Sequence, residues 1–335
     1  MHKLLFIFIL ILSISCSPEA EEIGEIKNLP KSTFNKVMHP TDNSYSLQRE
    51  ELGRLLFYDP ILSIDSSISC NSCHKQEYAF GDNKAVSLGV GNRMGNRNSP
   101  SLANVAYHPY YTREGGVPTL EQQVLVPLEE NHEMAFNVLE VSKRIENNDF
   151  YRSLCDSAYP SKPYYFAITA SLAQFQRSLI SANSPFDAYV FEKEYSALNA
   201  NEINGMRLFY SEKTNCFQCH SGPNLTSYVF ENNGLYTDYN DKGRYKLTKD
   251  SKDLELFKIP SLRNTEMTAP YMHNGTFTTL EEVIEHYNLG GKENPNKSEF
   301  IKPLHLTQKE KSDLLLFLHT LTDNEFINNK DHQLK

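Results

Sequence analysis

Tryptophan is absent from this chain of 335 residues, and cysteine is scarce at six. Six cysteines over such a length do not make a disulfide scaffold. The one long apolar run, Leu4 to Ile14, is too short to cross a bilayer as a helix. Basic residues are in the minority, 33 Lys and Arg against 42 Asp and Glu, and the formal net charge is -9. That balance argues against a nucleic-acid partner. Strand-like alternation is sparse, so few or no strands are expected. What is present is an ordinary globular balance, 39% hydrophobic and 22% charged, with length enough for two modest domains.

Four of the six cysteines fall in a pattern that occurs twice, Cys70-Asn71-Ser72-Cys73-His74 and Cys216-Phe217-Gln218-Cys219-His220. C-x-x-C-H reads as covalent c-type haem attachment. The two thiols bond to the haem vinyl groups, and the adjoining His is placed to ligate the iron. The competing readings are a reduced thiol pair and half of a zinc site. A zinc site needs two further ligands per pair, and no second Cys pair is left over. One haem in each half makes redox chemistry the leading expectation. Of the remaining two, Cys155 reads as a buried thiol, and Cys16 directly follows the apolar N-terminal run.

His2 and Lys3 precede the apolar run, which has the shape of a secretory signal. It ends in Leu12-Ser13-Ile14-Ser15-Cys16, similar to a bacterial lipoprotein cleavage box except for Ser13, where Leu is more usual. Residues 1–15 are read as the signal, Cys16 as the lipidated first mature residue, and residues 16–45 as a tether. Ser17 to Lys31, with Glu19, Glu21, Glu22 and Glu25, is its most solvated part. The mature protein is then expected in the periplasm or cell envelope of a bacterium, touching the membrane only through its N-terminal lipid. Covalent haem agrees, because bacteria attach it after export.

A second repeat precedes the haem motifs: Gly53-Arg54-Leu55-Leu56-Phe57-Tyr58 and Gly205-Met206-Arg207-Leu208-Phe209-Tyr210. Each ends a helical pattern, with Leu47, Leu52, Leu55 and Leu56 in one and Ile203, Met206 and Phe209 in the other. A helix running into a haem loop, twice, suggests a mainly α protein of two cytochrome c-like domains. Residues 46–184 and 185–335 are assigned to them, with the boundary near Ser184-Pro185. Capping boxes open helices at Thr119, Thr279 and Thr307. Pro127 is expected to end the first of these early, and a further helix is expected over Ala167 to Ser181. Gly89, Gly91, Gly95, Asn96 and Asn98 mark a long loop, as do Asn232, Asn233 and Gly234.

From roughly residue 47 to 320 the chain resembles the bacterial di-haem cytochrome c peroxidase and MauG family. The likeness is carried by both haem motifs, Arg97-Asn98-Ser99-Pro100-Ser101-Leu102, Gln123 with Pro127, Glu133-Met134, Pro260-Ser261-Leu262-Arg263-Asn264, and Thr268-Ala269-Pro270-Tyr271-Met272-His273-Asn274-Gly275. The resemblance implies that the first haem, on His74, reacts with peroxide and the second, on His220, relays electrons. It places the catalytic pair on Glu133, which moves protons, and Gln123, which orients peroxide. It also implies a calcium ion between the domains, held by the Asn98 side chain and the carbonyls of Thr268 and Pro270. The reaction expected is reduction of hydrogen peroxide to water by a small c-type cytochrome or similar donor. Oxidation of an aromatic side chain on a partner protein, as in MauG, is the alternative; a non-catalytic electron carrier with both irons closed is the third.

Three departures refine the expectation. Where many relatives carry a His that closes the reactive haem, this chain has Val90, so that iron is expected to be open at rest. Where peroxidases carry a distal Met on the second haem, this chain has Tyr287, as MauG-like members do. Leu280, Val283, Ile284 and Tyr287 share a helical face, whereas His286, the competing ligand, lies about 100° away. Where the family keeps a Trp between the haems, the segment reads Arg113-Glu114-Gly115-Gly116, with Tyr110 and Tyr111 nearby. That weakens the MauG-like alternative. His39, His108, His132, His305 and His319 are given no role.

Overall fold

The computed structural model describes residues 26–334; the leader segment and Cys16 lie outside them. The first half contributes α1 (Leu47–Tyr58), α2 (Leu120–Gln123), α3 (Leu125–Glu129), α4 (Val138–Glu146), α5 (Asp149–Ala158) and α6 (Tyr164–Ser178). The second contributes α7 (Pro185–Val190), α8 (Ala200–Phe209), α9 (Cys216–Cys219), α10 (Tyr245–Thr248), α11 (Leu280–Asn288), α12 (Gln308–His319) and α13 (Asn324–Asn328). The only sheet among the described residues pairs β1 (Phe230–Glu231) antiparallel with β2 (Phe257–Lys258).

The repeated Gly-to-Tyr segments explain how each half is framed. Gly53 lies where α1 crosses α6, and Gly205 where α8 crosses α12. A Cβ on either would stand 1.9 Å from a backbone oxygen, that of Ser171 or of Asp313. One turn on, Phe57 meets Phe175 and Phe209 meets Phe317, with ring centroids 5.1 Å apart in both. Two separate cores form around these crossings, one on α1, α4, α5 and α6, the other on α7, α8, α11 and α12.

Buried polar groups stitch the halves at the chain crossover. Asn104 Nδ2 donates to Asn224 Oδ1 at 3.1 Å, Asn264 Nδ2 to Ser181 Oγ at 2.9 Å, and Ser181 Oγ to Asp323 Oδ2 at 3.1 Å. Asn104 and Asn264 are fully buried with left-handed backbones. Arg263 forms a bidentate pair with Asp187, both contacts at 2.6 Å, with side chains 1% and 2% exposed.

Four expectations need correction. Residues 26–45 are not a solvated tether. Ile26 and Leu29 pack on the second core, Phe34 stacks on Tyr107 at 4.6 Å, and Asn43 is buried, donating to Glu121 and to the Ala170 carbonyl. The end of the chain does not stay with the second half: Phe326 is part of the first core, and Gln76 donates to the carbonyl of Asn329. The helix opened by Thr119 does end early, at Gln123, four residues before Pro127, but the proline is not its stop: Pro127 is the third residue of α3, in the first turn, where no N–H is needed. Finally, the helix expected over 167–181 runs from Tyr164 to Ser178, because Asn104 captures the chain at Leu179 and Ser181.

Replacing Gly by Ala inside a helix ordinarily stabilises by about 1 kcal/mol. At Gly53 and Gly205 the sign reverses, since the new methyl meets backbone that cannot rotate away. Gly53→Ala and Gly205→Ala are each expected to destabilise by about 1–3 kcal/mol, read as a lower denaturant midpoint. Asn204→Ala, exposed beside Gly205, is expected to stay within about 0.5 kcal/mol of the parent.

Candidate haem sites

Each motif sits on a single helical turn, Cys70–Ser72 in one half and Cys216–Cys219 in the other. Residues three and four apart share a face of such a turn, which groups the two thiols with the imidazole. The His74 amide donates to the Cys70 carbonyl at 3.0 Å, and the His220 amide to that of Cys216 at 2.9 Å. Each ring is then oriented by a carbonyl of the following loop: Nδ1 lies 2.8 Å from Phe80 O in His74 and 3.1 Å from Leu225 O in His220. A carbonyl accepts only from a protonated nitrogen, so Nε2 carries the free lone pair, as an iron ligand requires. Burial lowers the pKa of both rings, that of His220 to about 4, which keeps them neutral.

Burial pushes the thiols of Cys70 and Cys219 up to about 12 and that of Cys216 to about 11. Among the described residues no three His, Cys, Asp or Glu side chains are grouped to hold a metal ion. The donor sets therefore fit covalently bound haem.

Cys216, Cys219, His220 and Tyr287 border one mainly apolar cavity of about 410 Å³. Leu280, Ile284 and Tyr287 face it from α11, as their spacing predicts. The two ligand candidates of this helix separate cleanly. His286 Nε2 is engaged 3.0 Å from the Asn233 carbonyl, while Tyr287 borders the cavity and accepts a hydrogen bond from the Asn233 side chain. Burial raises the Tyr287 hydroxyl to about 12. Met272, which the sequence did not single out, borders the same cavity, with Sδ 3.1 Å from Asn233 Nδ2.

In the first half Glu133 lies close enough to Cys70 and Cys73 to act on both electrostatically. It is solvent-accessible, yet the surrounding protein desolvates it; that burial, and secondly the charge of Glu130, raise its pKa. The long glycine loop braces it. A Cβ on Gly89 would stand 2.6 Å from the Glu133 carbonyl oxygen, and the buried Val90 donates its amide to that oxygen at 2.9 Å. Gln123 borders the cavity of Cys216, Cys219 and His220, which His74 and Glu133 do not line, with its Oε1 buried and without a hydrogen-bond partner.

The internal duplication extends further than the sequence showed. Tyr111 bridges to Val117 and Tyr271 to Phe277, each through a 2.7 Å amide-to-carbonyl bond. Thr119 and Thr279 then cap the next helices. Counting from these caps, Gln123 corresponds to Val283 and Pro127 to Tyr287. Where the second half presents a hydroxyl, the first presents a proline with nothing to coordinate iron.

At the junction of the halves two backbone bonds cross. The Asn98 amide donates to the His273 carbonyl at 2.9 Å, and the Lys258 amide to the Arg113 carbonyl at 2.8 Å. Asn98, Thr268 and Pro270, the residues assigned to calcium, border the cavity here. So do Arg113, Lys258 and His108, to which the sequence gave no role in binding. Their significance arises only from sequence-distant segments meeting, and the duplicated Pro-Ser-Leu at Pro100 and Pro260 is the signal that could have found it.

The family model for di-haem cytochrome c peroxidase matches residues 47–195. The methylamine utilization protein MauG of Methylorubrum extorquens is 35% identical over 289 residues, 85% of this chain and 81% of that one. Cytochrome-c peroxidase IdrP1 of Pseudomonas sp. (strain SCT) is 33% identical over 362 residues, covering 97% and 94%. Among solved structures, a MauG-like protein associated with microbial copper homeostasis superposes with a TM-score of 0.85 at 35% identity, over 92% of this chain and 98% of that one. The dihaem peroxidase BthA of Burkholderia thailandensis, at 21% identity and a TM-score of 0.76, shares the fold. With relatives this similar spanning most of both chains, the protein belongs to the di-haem cytochrome c peroxidase and MauG family.

Proposed function

We propose that this protein is a c-type di-haem peroxidase that reduces hydrogen peroxide to water, taking electrons from a small c-type cytochrome or similar periplasmic donor. The inequality of its two sites carries the reading. Tyr287 faces the site of His220, whereas the first site has Val90 and Pro127 around Glu133 and no ligand side chain at the matching position. One centre is built to stay closed and relay electrons; the other is built to admit a small molecule.

Bound at His74, a haem iron supplies a Lewis-acidic redox centre for the O–O bond. The chain's own residues handle the protons. Glu133 takes a proton from the nearer peroxide oxygen and returns it to the farther one as water leaves, and Gln123 offers its amide to orient the peroxide. Two electrons and two protons complete the conversion of one peroxide to two waters. The bond from Phe80 O to His74 Nδ1 makes the imidazole a stronger donor on its other nitrogen. Export to the periplasm, with a lipid on Cys16, completes the reading.

Tyr287 favours a second use of the same sites, oxidation of aromatic side chains on a partner protein. The lack of tryptophan weighs against it. Steady turnover with a reduced cytochrome c selects the first reading; a covalent change in a partner without such turnover selects the second.

Glu133→Gln is expected to lower kcat/KM for peroxide by about 10²–10⁴-fold. The carboxylate form must receive the proton, and its pKa is raised. The parent rate should therefore fall as pH drops through that raised value, and the fall should vanish in the Gln variant, as stopped-flow pH profiles will show. The resting ferric protein is expected to give a high-spin EPR signal from the first haem and to react with peroxide without prior reduction; a wholly low-spin resting spectrum refutes this. Tyr287→Met is expected to raise the potential of the second haem and to add a methionine–iron charge-transfer band.

A further inference from the structure

Arg113 and Lys258 stand at the junction of the halves without an acidic partner. Among the described residues neither belongs to an ion pair, although Arg97, next to Arg113, pairs with both Glu114 and Asp241. Arg113 spends Nη2 on the carbonyl of Asn98 at 2.8 Å and reaches Asn98 Oδ1 at 3.4 Å, while its Nε is buried with no partner. Lys258 donates to the Tyr110 carbonyl at 2.8 Å and lies 3.5 Å from His108 Nδ1. Carbonyls satisfy hydrogen bonds but do not neutralise charge. Two enclosed cations without an anion are costly.

Both cations border the cavity that also holds Cys216, Cys219, His220 and Tyr287. A c-type haem is fixed by its vinyl edge and His ligand, and its remaining polar groups are two propionate carboxylates. Resting on the reading of these motifs as haem sites, we propose that Arg113 and Lys258 are the counter-cations of haem carboxylates at the junction, in place of an interdomain calcium ion. The Asn98 oxygen assigned to calcium does not fit it. Asn98 presents both its carbonyl and Oδ1 to the Arg113 guanidinium, and its side-chain amide nitrogen donates to the Lys84 carbonyl at 3.1 Å. A divalent ion at Asn98 would sit against a fixed positive charge.

The test uses the purified dihaem protein, with two covalent haems verified by mass so that failure of haem attachment is recognised separately. A cation beside a propionate disfavours ferric iron. Spectroelectrochemical titration of Arg113→Gln and Lys258→Gln should therefore show a lowered potential at one haem or both, and Arg113→Lys should restore most of the shift. EGTA, or added calcium chloride, should leave the absorption spectrum and thermal midpoint of the parent unchanged. Unaltered potentials in both Gln variants would overturn the pairing. Loss of thermal stability with EGTA, recovered by calcium, would overturn the replacement of the metal. Should Arg113→Gln fail to fold, Lys258→Gln and the chelator titration of the parent still decide the matter.

Discussion

Two helices can approach until one backbone rests on the other only where a residue without a Cβ stands at the crossing. That requirement, met at Gly53 and again at Gly205, frames both halves of this molecule. It fixes where α1 leans on α6 and α8 on α12, and it positions Phe57 and Phe209 to close over the crossing. The haem turn follows each helix within a short loop, so the crossing also decides where the thiols and imidazole are delivered. The carbonyls of Phe80 and Leu225 then set the angle of the ring. Geometry passes from backbone to helix pair to iron ligand, twice, by the same steps.

Function arises where the two copies differ. The frame is shared, but Gln123 answers Val283, Pro127 answers Tyr287, and Arg113 answers His273. Each difference removes or adds one chemical capability at an equivalent place: an amide, a ligand oxygen, a charge. A duplicated scaffold thereby carries two sites of different lining, one with the Tyr287 hydroxyl and the other with Pro127 at the corresponding position. Beside the crossed bonds from Asn98 to His273 and from Lys258 to Arg113, Gln123, Val283, Tyr287, Arg113 and His273 line one cavity.

Much of this was legible in the sequence because it is local. The C-x-x-C-H turns, the capping boxes at Thr279 and Thr307 and the inward face of α11 are each set by residues within two helical turns. Pro127 misled because its effect depends on which turn of a helix it occupies, and a break after Gln123 restarts the count. Residues 26–45 misled because their polar composition suits solvent, while Asn43 in fact has its donors and acceptors met by sequence-distant groups. Arg113 and Lys258 were illegible for a related reason. A charged residue reads as exposed until the segments that enclose it are known.

The returning tail carries a different implication. Phe326 and His332 pack against Phe80, whose carbonyl steadies the imidazole of the first centre. The wall behind that centre is thus made from residues that follow the second core in the chain. The interior of the first half is complete only once α13 has packed onto it. A chain cut short before residue 326 therefore leaves the first half without the Phe326 side of its core.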